Sequence, residues 1–123
     1  MKKRIVIFSG AGLSAESGIP TFREADGLWE QHRIEEVASP EGWRQNPALV
    51  LEFYAKRFEK MKTCLPNPAH KAIAKLSLHH EVICITQNID DLLERAGVEN
   101  VWHLHGQINV QKCQWHFCAD RSE

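Results

Sequence analysis

A short apolar run, Ile5-Val6-Ile7-Phe8, enters the loop Gly10-Ala11-Gly12-Leu13-Ser14-Ala15, and Gly18-Ile19-Pro20 follows almost at once. This succession constrains the fold more than any other feature of the chain. A β-branched strand leading through glycines into a helix start is the dinucleotide fingerprint, in the form whose third glycine is alanine. Its glycines let the backbone approach a pyrophosphate, and the helix N-terminus presents N–H donors to it. Gly18 and Pro20, however, end the helix after about one turn, where a dehydrogenase needs a full crossover helix. On this motif alone, a turn glycine with no ligand would look the same.

The remaining pattern alternates strands with helices. Arg4–Ser9 reads as a buried strand, and "SAES" as about one helical turn. Thr21 to Pro40 shows little periodicity, with "ADGLWE" as a turn. Asn46-Pro47 and Asn67-Pro68 are helix starts, an Asn cap with Pro at the first helical position. The first opens "ALVLEFYAKRFEKMK", where Leu49, Phe53, Tyr54 and Phe58 fall near one face. Val82–Thr86 is a second apolar strand, followed by Gln87-Asn88-Ile89-Asp90 and a short helix closed by Gly97. Val101–Leu104 is a third strand, running into His105-Gly106. Such alternation implies an α/β fold, a partial Rossmann-like parallel sheet with right-handed crossovers and helices on both faces. Ligands gather at the carboxyl ends of such strands. Here those ends are Gly10–Gly12, Gln87–Asp90 and His105-Gly106.

Composition narrows the class. At 123 residues the chain makes one domain at most, and 43% hydrophobic residues is a globular content. With 15 basic against 16 acidic residues, nothing steers it toward nucleic acid or an anionic membrane. No apolar run approaches the ~20 residues of a membrane span. The basic start "MKKR" precedes an apolar run shorter than the roughly 7–15 residues of a signal peptide core. The expected location is therefore cytoplasmic, where cysteines do not form a disulfide framework. Cys64 and Cys84, each in apolar surroundings, read as small buried hydrophobes.

Several constellations carry chemistry. Arg23 follows the truncated helix, where a loop folding back would pair its guanidinium with phosphate, the alternative being a surface arginine. Gln87, Asn88 and Asp90 place three polar side chains directly after an apolar strand. Asn88 or Asp90 alone could cap the next helix, but capping does not require three such groups. His103 and His105 point to opposite faces of a regular strand, so only one reaches the site. His105, nearer the carboxyl end, is the better base, although a lone histidine is more often structural. Tyr54 and Arg57 share a helix face, or are simply a core aromatic and a solvated charge. Cys113 and Cys118 have the spacing of half a structural zinc site, with His116 between them a poor third ligand.

Taken together, "GAGLSAESGIPTFR", "TQNIDDLLERAG" and "HLHG", in this order and at these separations, closely resemble the sirtuins, the NAD-dependent protein deacylases. The resemblance runs from about Ile5 to Cys113. It looks most like the sub-group that removes succinyl and malonyl groups, which carries Tyr-x-x-Arg where this chain has Tyr54 to Arg57 and an alanine matching Ala38. It implies that the segment after the short helix is a cofactor-binding loop, which a full helix would leave no room for. It further implies that NAD is consumed, with release of nicotinamide and O-acyl-ADP-ribose. Gly10, Ala11, Gly12, Ser14, Thr21, Phe22 and Arg23 would serve the cofactor, Arg23 at the pyrophosphate and Phe22 over the reactive ribose carbon. Gln87, Asn88, Ile89 and Asp90 would contact the nicotinamide ribose and carboxamide, with Asn88 and Asp90 also catalytic. His105 would be the general base. Tyr54 and Arg57, with Ala38, would bind the acyl group of an acylated-lysine protein or peptide, and Cys113 and Cys118 would begin a zinc site.

The resemblance covers about half a sirtuin. Residues 1–106 correspond to the first part of the NAD-binding domain and 107–123 to the start of a zinc-binding module. Three readings stand: part of an active deacylase, a nucleotide-binding unit without turnover, or a piece that acts through self-association or a complementing chain. A generic Rossmann oxidoreductase is a distant fourth.

Overall fold

A computed structural model describes residues 1–21, 28–29 and 31–112. Phe22, Arg23, Cys113 and Cys118, and with them the zinc expectation, lie outside the described residues. Three parallel strands form the central sheet: β1 (Arg4–Ser9), β4 (Glu81–Thr86) and β5 (Val101–His103), in the order β1-β4-β5. The register pairs Ile5 with Val82 and Ile7 with Cys84 across β1 and β4, and Thr86 with His103 across β4 and β5.

The strands alternate faces, and the alternation corrects the reading of β1 as a wholly buried strand. Ile5 and Ile7 pack with Val82, Cys84, Leu93 and Val98 against Ile73, Ala74 and Leu76. These belong to helices α5 (Pro68–Ser77) and α6 (Leu92–Ala96) and their flanks. On the opposite face Val6 is 58% exposed, Phe8 62% and, on β5, Trp102 63%. Side chains one residue apart on a strand cannot share a face, so a core on one side leaves the other set at the surface.

Three of the helices start on a side-chain cap followed by proline. Asn46 Oδ1 accepts from Leu49 N–H at 3.1 Å and opens α4 (Pro47–Thr63). Asn67 Oδ1 accepts from Ala69 and His70 N–H and opens α5. Ser39 Oγ accepts from Gly42 N–H and opens α3 (Pro40–Gln45), a device of the same kind at the end of the Thr21–Pro40 stretch, whose periodicity suggested no helix. That stretch also holds α2 (Ile34–Val37) and a two-residue hairpin, β2 (Leu28–Trp29) against β3 (His32–Arg33). Their shortness explains why no period is visible.

The buried face of α4 is Val50, Phe53, Arg57 and Met61. This replaces the expected stripe: Leu49, Tyr54 and Phe58 flank it, half-buried. Tertiary contacts decide the rotation. Phe53 meets Val37 at the α2 end, and Met61 joins Ile19, Cys64 and Leu92 near the glycine loop. Cys64 and Cys84 are free and buried, as their surroundings implied.

Candidate nucleotide site at the carboxyl edge of the sheet

The ends of β1, β4 and β5 meet at one edge. Beyond β1, Gly10 leads into α1 (Gly12–Ala15), one turn long, and Gly18, at φ +95°, ends the turn that follows. A left-handed φ is the reason glycine stands there. A side chain on Gly12 would meet nothing within 4 Å, so the loop opens to free space on that side. A cleft of about 330 Å³ borders it, lined by Ala15, Gly18, Ile19, Pro20 and Thr21.

Behind the loop, Ser14 is 1% exposed and joins three elements. Its hydroxyl donates to Asp90 Oδ2 at 2.8 Å, and His70 Nε2 lies 3.4 Å from the same oxygen. His70 Nδ1 accepts from Asn67 N–H at 3.1 Å. Nδ1 therefore holds a lone pair, the neutral ring carries its proton on Nε2, and that proton points at Ser14 Oγ. The order is thus Asn67 N–H to His70, His70 to Ser14, Ser14 to Asp90. This is not a nucleophile arrangement, because the serine hydroxyl donates to the carboxylate and not to the imidazole. Burial pushes the His70 pKa down, against a smaller opposing pull from Asp90, which keeps the ring neutral. Asp90 Oδ1 accepts from Leu92 N–H at 3.1 Å and so also begins α6.

Asn88 is held from three sides. Its Nδ2 donates to Gly10 O at 3.0 Å, and its main-chain N–H donates to Thr86 Oγ1 at 3.1 Å. Its main-chain oxygen accepts from His103 Nδ1 at 2.7 Å. Gln87 also approaches the glycine loop, since a Cβ on Gly10 would sit 3.4 Å from Gln87 Oε1. Asn67 Nδ2 donates to Leu13 O at 2.7 Å and Ser17 Oγ at 3.0 Å, tying α5 to the same turn.

The two histidines of "HLHG" are separated by their partners. His105 lies past the end of β5 and is exposed. Its Nδ1 is 3.1 Å from Gln87 O. A carbonyl oxygen only accepts, so Nδ1 bears the proton and Nε2 of the neutral ring is left as a base. His103 also donates from Nδ1 to a carbonyl, but its Nε2 faces Glu94 Oε1 at 2.5 Å. Only a doubly protonated ring satisfies both contacts. The Glu94 hydrogen bond accordingly raises the His103 pKa despite burial. With both of its ring nitrogens engaged, His103 offers no free lone pair to act as a base, so His105 is the candidate the geometry favours.

Tyr54, Arg57 and Ala38 belong to a second group, built on α2 and α4. Arg57 is 3% exposed, and its guanidinium carbon lies 5.6 Å from the Phe53 ring centroid. Phe53 also meets Tyr54 and His32 edge-on. Burial raises the Tyr54 pKa, so its hydroxyl stays protonated. Ala38 ends α2 next to Val37, which packs on Phe53.

The sequence pattern gave Asn67 only as a helix cap, and did not single out His70 or the pairing of His103 with Glu94. His70 carried one signal, its place three residues after the Asn67 cap, where its side chain closes a capping box. Among the described residues no group of three His, Cys, Asp or Glu could hold a metal ion.

Comparison with known proteins places this edge in a family. The Sir2 family's sequence profile matches residues 10–121. An NAD-dependent protein deacylase of Helicobacter pylori is 59% identical over 106 residues, spanning 86% of this chain and 46% of that protein. A protein of the same name from Vibrio cholerae is 53% identical over 115 residues, spanning 90% and 47%. The crystal structure of a Sir2 homolog–NAD complex superposes with a TM-score of 0.83 at 47% identity, covering 99% of this chain and 47% of that one. A complex of SIR2 with an inhibitor, 2′-O-acetyl-ADP-ribose and a deacetylated peptide superposes at 0.69 and 32% identity. The chain thus spans about half the length of the relatives it matches. By sequence and by the Rossmann-like parallel sheet with its flanking helices, it belongs to the Sir2 family, the sirtuins.

Proposed function

We propose that this chain supplies the NAD-binding and catalytic edge of an NAD-dependent protein-lysine deacylase that releases nicotinamide and O-acyl-ADP-ribose. One observation carries the reading. The open glycine loop, the Asn88–Asp90 loop and the bare Nε2 of His105 meet at one edge, held there by Ser14 and by the Gln87 carbonyl.

NAD, when bound, supplies the ribose carbon to which the acyl oxygen transfers as nicotinamide leaves. The residues present fit it: Gly12 opens a cradle on the phosphate side, and Asn88 and Asp90 are rigidly anchored beside it. Ala11, Gly12 and Thr21 would serve the pyrophosphate approach, and the family pattern assigns Arg23 to the pyrophosphate and Phe22 to the reactive ribose carbon. Asn88 and Asp90 orient the ribose and carboxamide. His105 Nε2 takes a proton from a ribose hydroxyl, while its Nδ1–H stays on Gln87 O. Tyr54 and Arg57 favour acidic acyl groups, because a buried guanidinium beside a protonated phenol suits a succinyl or malonyl carboxylate. Zinc, held through Cys113 and Cys118, would be structural and takes no part in these steps.

The substrate is an acylated-lysine protein or peptide, and turnover calls for the rest of the fold. The exposed Val6, Phe8 and Trp102 face and the second edge of β1 suit that other half, because a doubly wound sheet extends past its first strand. The test is nicotinamide release and O-acyl-ADP-ribose formation from NAD and a succinyl-lysine peptide, by this chain alone and with the second half of a relative added. Loss of O-acyl-ADP-ribose in His105→Ala is expected; equal formation of that product by the variant would sink the reading.

A further inference from the structure

The mechanism makes no use of the half-buried ion pair between His103 and Glu94. His103 ends β5 with its side chain 4% exposed; Glu94 stands on α6 with its side chain 35% exposed. The other Glu94 oxygen, Oε2, is buried and makes no hydrogen bond among the described residues. His103 is therefore the cation that compensates this carboxylate. The same imidazolium grips the main-chain oxygen of Asn88. Two lines thus run from the pair to the site loop, one direct to Asn88, the other through α6, whose start is fixed by Asp90 at Leu92 N–H. Neighbouring contacts leave this segment little slack: Leu104 N–H binds Thr86 O, and Ile108 N–H binds Ile89 O, each at 2.9 Å.

We propose that the His103–Glu94 ion pair is a positioning device for the nucleotide site, holding Asn88 and Asp90 in the geometry that binds NAD. The proposal rests on the reading of Asn88 and Asp90 as NAD contacts. Its physical core is a charge requirement. With Nδ1–H committed to Asn88 O, deprotonation must occur at Nε2, which then turns a lone pair toward the Glu94 carboxylate at 2.5 Å. The contact becomes repulsive, and either Asn88 or α6 has to give. Among the described residues, the charged or titratable groups facing His103 are Glu94 on α6 and Asp90 on the site loop, both acidic and both favouring the imidazolium. Cys84 on β4, near Glu94, is kept a neutral thiol by burial and by that carboxylate.

If binding requires the imidazolium, NAD affinity falls above the His103 pKa, at the limit by about tenfold per pH unit. Glu94→Gln removes the requirement, because a carboxamide can turn its oxygen to the charged ring or its N–H₂ to the neutral one. The experiment is an NMR pH titration of the wild-type imidazole nitrogens and of the Ile89 and Asp90 amides, beside calorimetric NAD dissociation constants for wild type and Glu94→Gln. Expected are amides that follow the His103 ring, wild-type affinity that declines along the same curve, and a variant with no such decline. The variant should bind within about threefold of wild type at neutral pH, since one hydrogen bond of the pair persists.

Wild-type affinity that stays constant while His103 titrates would overturn the proposal. So would a decline retained in Glu94→Gln, which would assign it to a group other than this pair. If the folded chain binds no NAD at any pH, the nucleotide reading fails, and the amides decide alone. Ile89 and Asp90 following the His103 ring then uphold the positioning role, and amides indifferent to it reject it.

Discussion

Replacing Ser14 by alanine removes one oxygen from the best-buried junction of the site, and its cost can be worked from three contacts. The contact to Asp90, at 2.8 Å, is charge-assisted, and losing such a bond costs about 1.5–3 kcal/mol. Asp90 keeps Leu92 N–H, so its carboxylate is not stripped bare. His70 loses the acceptor facing Nε2–H in a position with 0% exposure. An orphaned buried donor costs about 1–3 kcal/mol, and the long 3.4 Å contact argues for the lower end. Asn88 loses only a 3.4 Å contact and retains Gly10 O at 3.0 Å. Contacts sharing an atom do not add, so the expected loss is about 3 kcal/mol, or roughly 10 °C in Tm for a chain of this size. Urea unfolding followed by circular dichroism measures it, with an unchanged m-value confirming an intact fold. A double-mutant cycle with His70→Asn should show coupling of at least about 0.5 kcal/mol, because each change removes the same contact. A Ser14→Ala loss below about 0.5 kcal/mol would refute the chain of donors drawn from His70 to Asp90.

Two further outcomes are expected. Gly42→Ala should destabilise by about 1–3 kcal/mol, since its Cβ would lie 2.3 Å from Glu36 O and 2.7 Å from Glu35 O and force α2 and α3 apart; a thermal midpoint equal to wild type would contradict that packing. Stability should pass through a maximum with pH. His70, whose pKa is lowered on folding, contributes stability that is present above the unfolded value near 6.5 and lost as pH falls through its folded pKa. His103, whose pKa is raised, contributes stability that is full below about 6.5 and lost as pH rises through its folded pKa. Urea midpoints across that range test both limbs, and an alkaline limb that survives in Glu94→Gln would exclude His103 as its source.

The local motifs were legible because their physics is local. A β-branched run entering glycines, an Asn cap before proline, and Gly97 at φ +108° after α6 each act within a few residues, so strand order in the chain and the meeting of three loops at one edge follow from pattern. The family resemblance rested on those same loops. The turn of α4 about its axis did not follow, because Val50, Arg57 and Met61 are selected by what Phe53 and Leu92 meet from elsewhere in the chain. Nor did the exposure of Val6 and Phe8, which depends on which sheet face α5 and α6 cover.

The histidines draw the line most sharply. Sequence alone determined that "HLHG" ends a strand at the ligand edge, and that one ring there could be a base. Position nearer the carboxyl end already favoured His105, but the tautomer and protonation state of each ring were decided by partners elsewhere in the chain. Gln87 O fixes the tautomer of His105 from 18 residues away, and Glu94 with Asn88 O makes His103 a cation. His70 is joined to Ser14 across 56 residues. A proton's position depends on the donors and acceptors within about 3 Å of the ring, and only the folded chain brings those together.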